Sequence, residues 1–176
     1  TQLEQHWGYG AMQTCLHYGW MQTAADGRWK PNKYVTRAEF AADLARFAGI
    51  HETYPTDGAA AFSDMDVTGA DAPYISWASG CGILQGYPDG TFRPDDTLTR
   101  EQMAAILARY YALRGVNAEG SADGFADAAK ISAWAKESVG TCVSLGLVMG
   151  DARGRFLPRG KLTRAQIATI LMRMAG

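Results

Sequence analysis

The apolar positions of this chain fall into stripes of helical spacing, and the clearest stripe occurs three times. Phe40, Leu44 and Phe47 stand at i, i+4 and i+7, as do Met103, Leu107 and Tyr110, and then Ile167, Leu171 and Met174. Such spacing sets each trio on one face of a helix. A shorter helix is predicted upstream of the later stripes, from Tyr74, Ile75 and Ala78 in one case and from Trp134, Ala135, Ser138, Val139 and Cys142 in the other. The first helices should end near Gly19, Gly82 and Gly146, because glycine takes a positive φ at a helix C-terminus at little cost.

The stripes are part of a longer period. Thr36-Arg37-Ala38-Glu39 returns as Thr99-Arg100-Glu101-Gln102 and as Thr163-Arg164-Ala165-Gln166, at offsets of 63 and then 64. The same offsets relate Gly27, Gly90 and Gly154, the aromatics Trp29, Phe92 and Phe156, the prolines Pro31, Pro94 and Pro158, and the arginines Arg46, Arg109 and Arg173. Matched chemistry at so many positions means three tandem units. Residues 51–61 and 115–124 are rich in Gly, Ala and polar side chains and read as linkers or loose loops, which puts the units at 1–50, 51–115 and 116–176. Units this small bury only a marginal core alone, so each is expected to cover a neighbour's apolar face. The predicted fold is mostly α, a helix, a turn-rich loop and a helix in each unit. In the loop at 86–94, Pro88-Asp89-Gly90 specifies a tight turn and Phe92 can tuck into the core.

Charge and composition narrow the chemistry. With 17 Lys+Arg against 18 Asp+Glu, the net charge of −1 offers no bulk attraction to nucleic acid or to an anionic membrane. Any anionic partner must be held by local charge. No apolar run approaches the roughly 20 residues that span a bilayer. The start, Thr1 to His6, lacks the basic and apolar regions of a signal peptide, as expected of a cytosolic protein or of a mature or excised piece. Cys15, Cys81 and Cys142 form no CxxC pair and read as small buried apolar residues, and His6, His17 and His51 have no metal-ligand spacing. Asp64, Asp66 and Gly69 faintly follow a calcium loop, but Thr68 and Ile75 stand at its fifth and twelfth positions, so caps and turns are expected instead. No metal, cofactor or catalytic constellation is expected, and the chain is not read as an enzyme.

The Thr-Arg motif holds the sharpest question. Thr36 with Glu39, Thr99 with Gln102 and Thr163 with Gln166 have capping-box spacing. That accounts for every residue of the motif except the arginine. Arg37, Arg100 and Arg164 each take the first helical position, where a cation opposes the helix dipole at a cost of a few tenths of a kcal/mol. Two readings remain open: an anion site built from guanidinium and helix amides, or an internal ion pair with a neighbouring unit.

Here the residues carry a resemblance. Phe62-Ser63-Asp64, a helix ending at Gly82-Ile83, the 86–94 loop and Thr99-Arg100-Glu101-Gln102 follow one another in an order that resembles an S-layer homology repeat. Phe125-Ala126-Asp127 and Trp134-Ala135 open a third copy, and a divergent first copy keeps the full Thr-Arg-Ala-Glu. The resemblance implies three repeats packed as a pseudo-threefold spindle. It implies a non-catalytic, exported module at the bacterial cell surface that binds a secondary cell-wall polysaccharide, often with a pyruvate ketal on N-acetylmannosamine, in grooves between repeats. Peptidoglycan-linked groups and a protein-binding scaffold of the envelope are the alternatives. Carried over by position, the first groove combines Arg37 with Trp77, Gly82, Ile83 and Gln85. The second combines Arg100 with Thr141, Gly146, Leu147 and Met149, and the third Arg164 with Thr14, Gly19, Trp20 and Gln22. The first is expected to be the best equipped and the second the weakest. Ala70 departs from the family's usual Trp, and the third loop lacks Asp-Gly.

Overall fold

In the computed structural model, which describes all of residues 1–176, six helices are joined by turns: α1 (Tyr9–His17), α2 (Arg37–Phe47), α3 (Ala72–Gly80), α4 (Arg100–Leu113), α5 (Lys136–Ser144) and α6 (Arg164–Ala175). Three single-turn 3-10 segments, Ala59–Ala61, Ala128–Lys130 and Ala133–Ala135, complete the regular structure, and extended pairing is confined to isolated bridges. The fold is mostly α, as the periodicity predicts. Phe40, Met103 and Ile167, then Leu44, Leu107 and Leu171, are all sealed from solvent, so the first two positions of each stripe form core. Gly19, Gly82 and Gly146 carry φ of 74°, 72° and 72°, one residue past each first-helix cap.

Contacts divide the chain into two compact units, residues 1–97 with 163–176, and residues 98–162. In the first, α1 packs on α6, and α2 packs on α3 and α6. In the second, α4 packs on α5. The pairs α2–α3, α4–α5 and α6–α1 thus each join the second helix of one sequence repeat to the first helix of the next, with α6 returning to α1, while α2 with α6 joins two second helices. Two expectations need correction. Trp134 lies in a 3-10 turn, 59% exposed, and α5 starts only at Lys136. Nor is 115–124 loose: a Cβ on Gly120 would stand 2.2 Å from the Gly140 carbonyl oxygen. Glycine there serves backbone contact, which composition alone cannot tell from flexibility.

The caps form with one difference. Thr99 and Thr163 accept from Gln102 N and Gln166 N at 3.3 Å each, and both glutamines return a bond to the threonine amide. Thr36 accepts from Glu39 N at 3.1 Å, but the Glu39 carboxylate turns to Lys33 Nζ at 2.8 Å and closes no box. A carboxylate prefers a nearby cation to an amide, whereas the neutral glutamine has no such competitor. Thr99→Ala should cost about 1 kcal/mol of folding free energy, read as a lower midpoint in urea. Glu39→Ala should leave its cap intact in the same assay.

Candidate functional site

Each arginine of the Thr-Arg motif reaches into the loop that follows the next first helix. Arg37 Nε donates to Phe92 O at 2.9 Å and Nη2 to Gln85 O at 2.7 Å. Arg164 repeats this with Trp29 O and Gln22 O, and Arg100 Nε donates to Phe156 O at 2.7 Å. Backbone amides beside the arginine bind the same loops: Arg37 N to Asp96 O and Ala38 N to Pro94 O, Arg100 N to Gly160 O and Glu101 N to Pro158 O, Arg164 N to Lys33 O and Ala165 N to Pro31 O. The start of each second helix is thus a clasp on a neighbouring loop.

This geometry corrects one expectation. The first two helix amides are spent on carbonyls and the third on the capping threonine, so no helix N-terminal amide remains for an anion. For Arg37 and Arg164 the partners are backbone carbonyls, and neither forms an ion pair within the chain. Carbonyl dipoles also offset the unfavourable placing of a cation at a helix start.

The accepting loops are strained in register. Lys30, Arg93 and Leu157, each just before a proline, have φ of 45°, 57° and 59°, a left-handed conformation that costs a non-glycine residue roughly 1–2 kcal/mol. In two copies a carboxylate holds the strain in place. Asp64 accepts from Phe92 N and Arg93 N at 2.8 Å each, and Asp127 from Phe156 N at 2.8 Å and Leu157 N at 2.9 Å. Desolvation pushes both carboxyls up, but these amides outweigh it and hold them below the ordinary range. The Asp of each Phe-x-Asp is therefore a brace for the loop.

Arg37 retains a reactive edge. Its residue is 7% exposed, and its Nη1 has no hydrogen-bond partner within the chain yet is not sealed from solvent. Burial draws the guanidinium below its usual range, while the fields of Tyr87, Asp96 and Asp64 oppose that shift. The Arg37 head lies 4.9 Å from the Tyr87 ring centre and that of Arg93 lies 3.8 Å from it. Two guanidiniums thus stand around one half-buried loop tyrosine, Arg93 being paired in turn with Asp89 at 3.3 Å. Sequence reasoning passed over Tyr87 and Arg93. Their signal was asymmetry: in register, Tyr87 corresponds to Ala24 and Asp151, and Arg93 to Lys30 and Leu157.

Other predicted positions are placed as follows. Trp77 is 6% exposed and belongs to the core, so it has no free ring face for a sugar. Ile83 and Leu147 are buried, while Gln85 and Gln22 are exposed and serve the clasp through backbone oxygens. Gly82, Gly146 and Gly19 close their helices. Thr141 donates to Ala118 O and Thr14 to Gly10 O, each at 3.0 Å, and Met149 is 58% exposed. Trp20 is half-buried, stacked on exposed Tyr18 and edge-on to Phe47. Cys15 and Cys142 are buried free thiols pushed up to about 12 by burial, with Asp43 adding to the effect at Cys15.

Residues 3–41, 61–104 and 124–168 each match the S-layer homology domain. The chain belongs to the S-layer homology family. Among curated relatives, an amylopullulanase of Thermoanaerobacterium thermosulfurigenes is 35% identical over 173 residues, covering 96% of this chain and 9% of the relative. Cell surface glycoprotein 1 of Acetivibrio thermocellus is 30% identical, covering 89% of this chain and 7% of the relative. The surface-layer 125 kDa protein of Lysinibacillus sphaericus is 30% identical, covering 93% and 14%. This chain thus spans a small part of each relative's length. Each clasp joins the arginine of one matched stretch to the loop of another. No helix is long and apolar enough to cross a membrane.

Proposed function

We propose that the three repeats are a non-catalytic anchor that fastens a larger exported protein to the bacterial cell wall by holding an anionic secondary polysaccharide, a pyruvylated N-acetylmannosamine polymer being the best fit. The carrying observation is the under-paired Arg37 edge beside Tyr87 and Arg93, the latter paired with Asp89. A pyruvate ketal offers one carboxylate on a sugar ring, which matches a guanidinium for the charge. The relatives support the same reading. An amylopullulanase, a surface glycoprotein and a surface-layer protein share this stretch and little else in their names, as suits a common means of attachment.

The three clefts are not equal in this reading. The first has Arg37, Arg93 and Tyr87, the third has Arg164 with Lys30, and the second has Arg100 with Leu157 and Asp151. Co-sedimentation with wall sacculi tests it, before and after the polymer is stripped. Wild type should pellet only with unstripped walls. Arg93→Ala and Tyr87→Ala, which touch none of the clasp bonds, should reduce pelleting several-fold, and Arg37→Ala should reduce it further. Equal pelleting of all three variants, with folding checked by circular dichroism, would overturn the carboxylate clamp. Pelleting that survives polymer stripping would point to peptidoglycan-linked groups or to a protein partner.

A further inference from the structure

Helix α2 holds a buried carboxylate where its counterparts hold hydrocarbon. In register with Asp43 stand Ile106 of α4 and Ile170 of α6, and all three are 4% exposed. Isoleucine is therefore sufficient for packing at this position, and a buried ion pair in its place is seldom stabilising. The pair is also poorly made. Asp43 Oδ1 receives Arg46 Nη1 at 3.4 Å, while Asp43 Oδ2 and Arg46 Nε are sealed from water without a partner.

Arg46 is meanwhile presented to a cleft. Its head sits 4.7 Å over the Tyr74 ring, its side chain is 13% exposed, and its Nη2 has no partner in the chain without being sealed. Arg109, in register where the neighbouring position is Ile106, is exposed instead. The cleft of about 570 Å³ includes Gln22, Thr53, Thr56, Thr68, Ala70 and the exposed carboxylate of Glu52 in its walls, a size within the usual range for small-ligand sites. Hydroxyls, an amide and a ring around one guanidinium, with the exposed Glu52 carboxylate the one acidic side chain in the wall, suit a polyhydroxylated ligand whose single negative charge is taken by Arg46. Ala70 lines this cleft where the copies in register carry Trp7 and Trp134, both largely exposed.

We propose that this cleft binds a carboxylate-bearing sugar through Arg46, and that Asp43 competes with the ligand for the guanidinium, so that binding takes up a proton. With Asp43 ionised, Arg46 is engaged; with Asp43 protonated from solvent, the guanidinium turns its Nη edge to the ligand carboxylate. Charge is conserved, one carboxylate replacing another beside Arg46. The groups facing Asp43 are Arg46 and Glu39 on α2, Asp71 at the cap of α3, Arg164 on α6 and Cys15 on α1. Burial, against the pull of Arg46 and Arg164, pushes the Asp43 carboxyl up to about 7, which puts the exchange within reach of mild pH changes. The site is separate from the Arg37 clamp and does not depend on it.

Calorimetric titration of the whole chain with D-glucuronate, with methyl glucoside as the neutral control, tests this on either side of pH 7. Glucuronate should bind more tightly on the acid side, losing up to about tenfold in affinity per pH unit above Asp43 ionisation, with proton uptake seen by comparing buffers. Arg46→Gln should abolish the pH-dependent component of binding, and Asp43→Asn should bind without pH dependence or proton uptake. Ala70→Trp, which fills the cleft and leaves the pair alone, should block glucuronate with an unchanged circular dichroism spectrum. Wild-type binding that ignores pH, equal binding of methyl glucoside, or undiminished binding by Ala70→Trp would overturn the proposal. Wall sedimentation could fail in any of these cases or succeed, so the two readings stand or fall separately.

Discussion

Gly140→Ala is expected to lower the stability of the chain, although alanine is the better helix former. Gly140 lies within α5, and in an open helix the exchange gains up to about 1 kcal/mol. Here the new Cβ would stand 2.2 Å from the Gly120 carbonyl oxygen and 2.7 Å from its carbonyl carbon. Both obstacles are backbone, so no rotamer change relieves them. Separating the two segments also uncovers the Thr141 bond to Ala118 O and the apolar surface beneath. Overpacking of this kind costs roughly 1–3 kcal/mol, equivalent to a fall in melting temperature of about 2–10 °C for a chain of this size. Gly10→Ala in α1, with nothing within 4 Å of its new Cβ, should shift the melting temperature the other way. A stabilising Gly140→Ala would show that the two segments do not pack as described.

The stability of the chain should fall as pH rises from about 4 to about 7, and Asp43→Asn should remove most of that slope. The sign follows from where protons are held. Asp43 has its folded value raised to about 7 by burial, so between the unfolded carboxylate value and 7 the folded state holds the extra proton. That contribution is complete below about pH 4 and is lost by the time Asp43 ionises, a difference on the order of 4 kcal/mol. Asp71, raised by desolvation, acts in the same direction. Asp64 and Asp127 act oppositely: held low by loop amides, they contribute above about pH 4 and lose their effect in stronger acid. Maximum stability is therefore expected in mild acid, and urea midpoints across this range check it. An Asp43→Asn variant with the wild-type slope would place the buried proton elsewhere.

The contrast between Asp43 and the Thr-Arg arginines shows what a register can reveal. Three arginines in step signalled a shared role, but their partners are main-chain oxygens, which every residue carries and no side-chain pattern marks. The same limit hid the left-handed residues before proline, since Lys30, Arg93 and Leu157 have no common side-chain chemistry. Asp43 interrupts its register, aspartate against two isoleucines, and its meaning emerged only once burial and its half-made pair were visible. The resemblance implies a ligand-facing Trp77, and an aromatic on a helix suits both a core and a sugar platform; its burial decides for the core.

Periodicity, capping threonines and turn glycines are local signals, governed by residues within a turn or two of one another. They were sufficient for the starts of the three helices behind the capping threonines, for the glycine stops of the shorter helices, and for a threefold repeat of the S-layer homology kind. Which helix packs on which, which carbonyl accepts an arginine, and which guanidinium keeps an unspent edge depend on residues brought together from tens of positions apart. Arg37 and Phe92 are 55 residues apart and Arg164 and Trp29 are 135 apart. Contacts at that range are selected by packing and desolvation in three dimensions, and only the tertiary structure decided them.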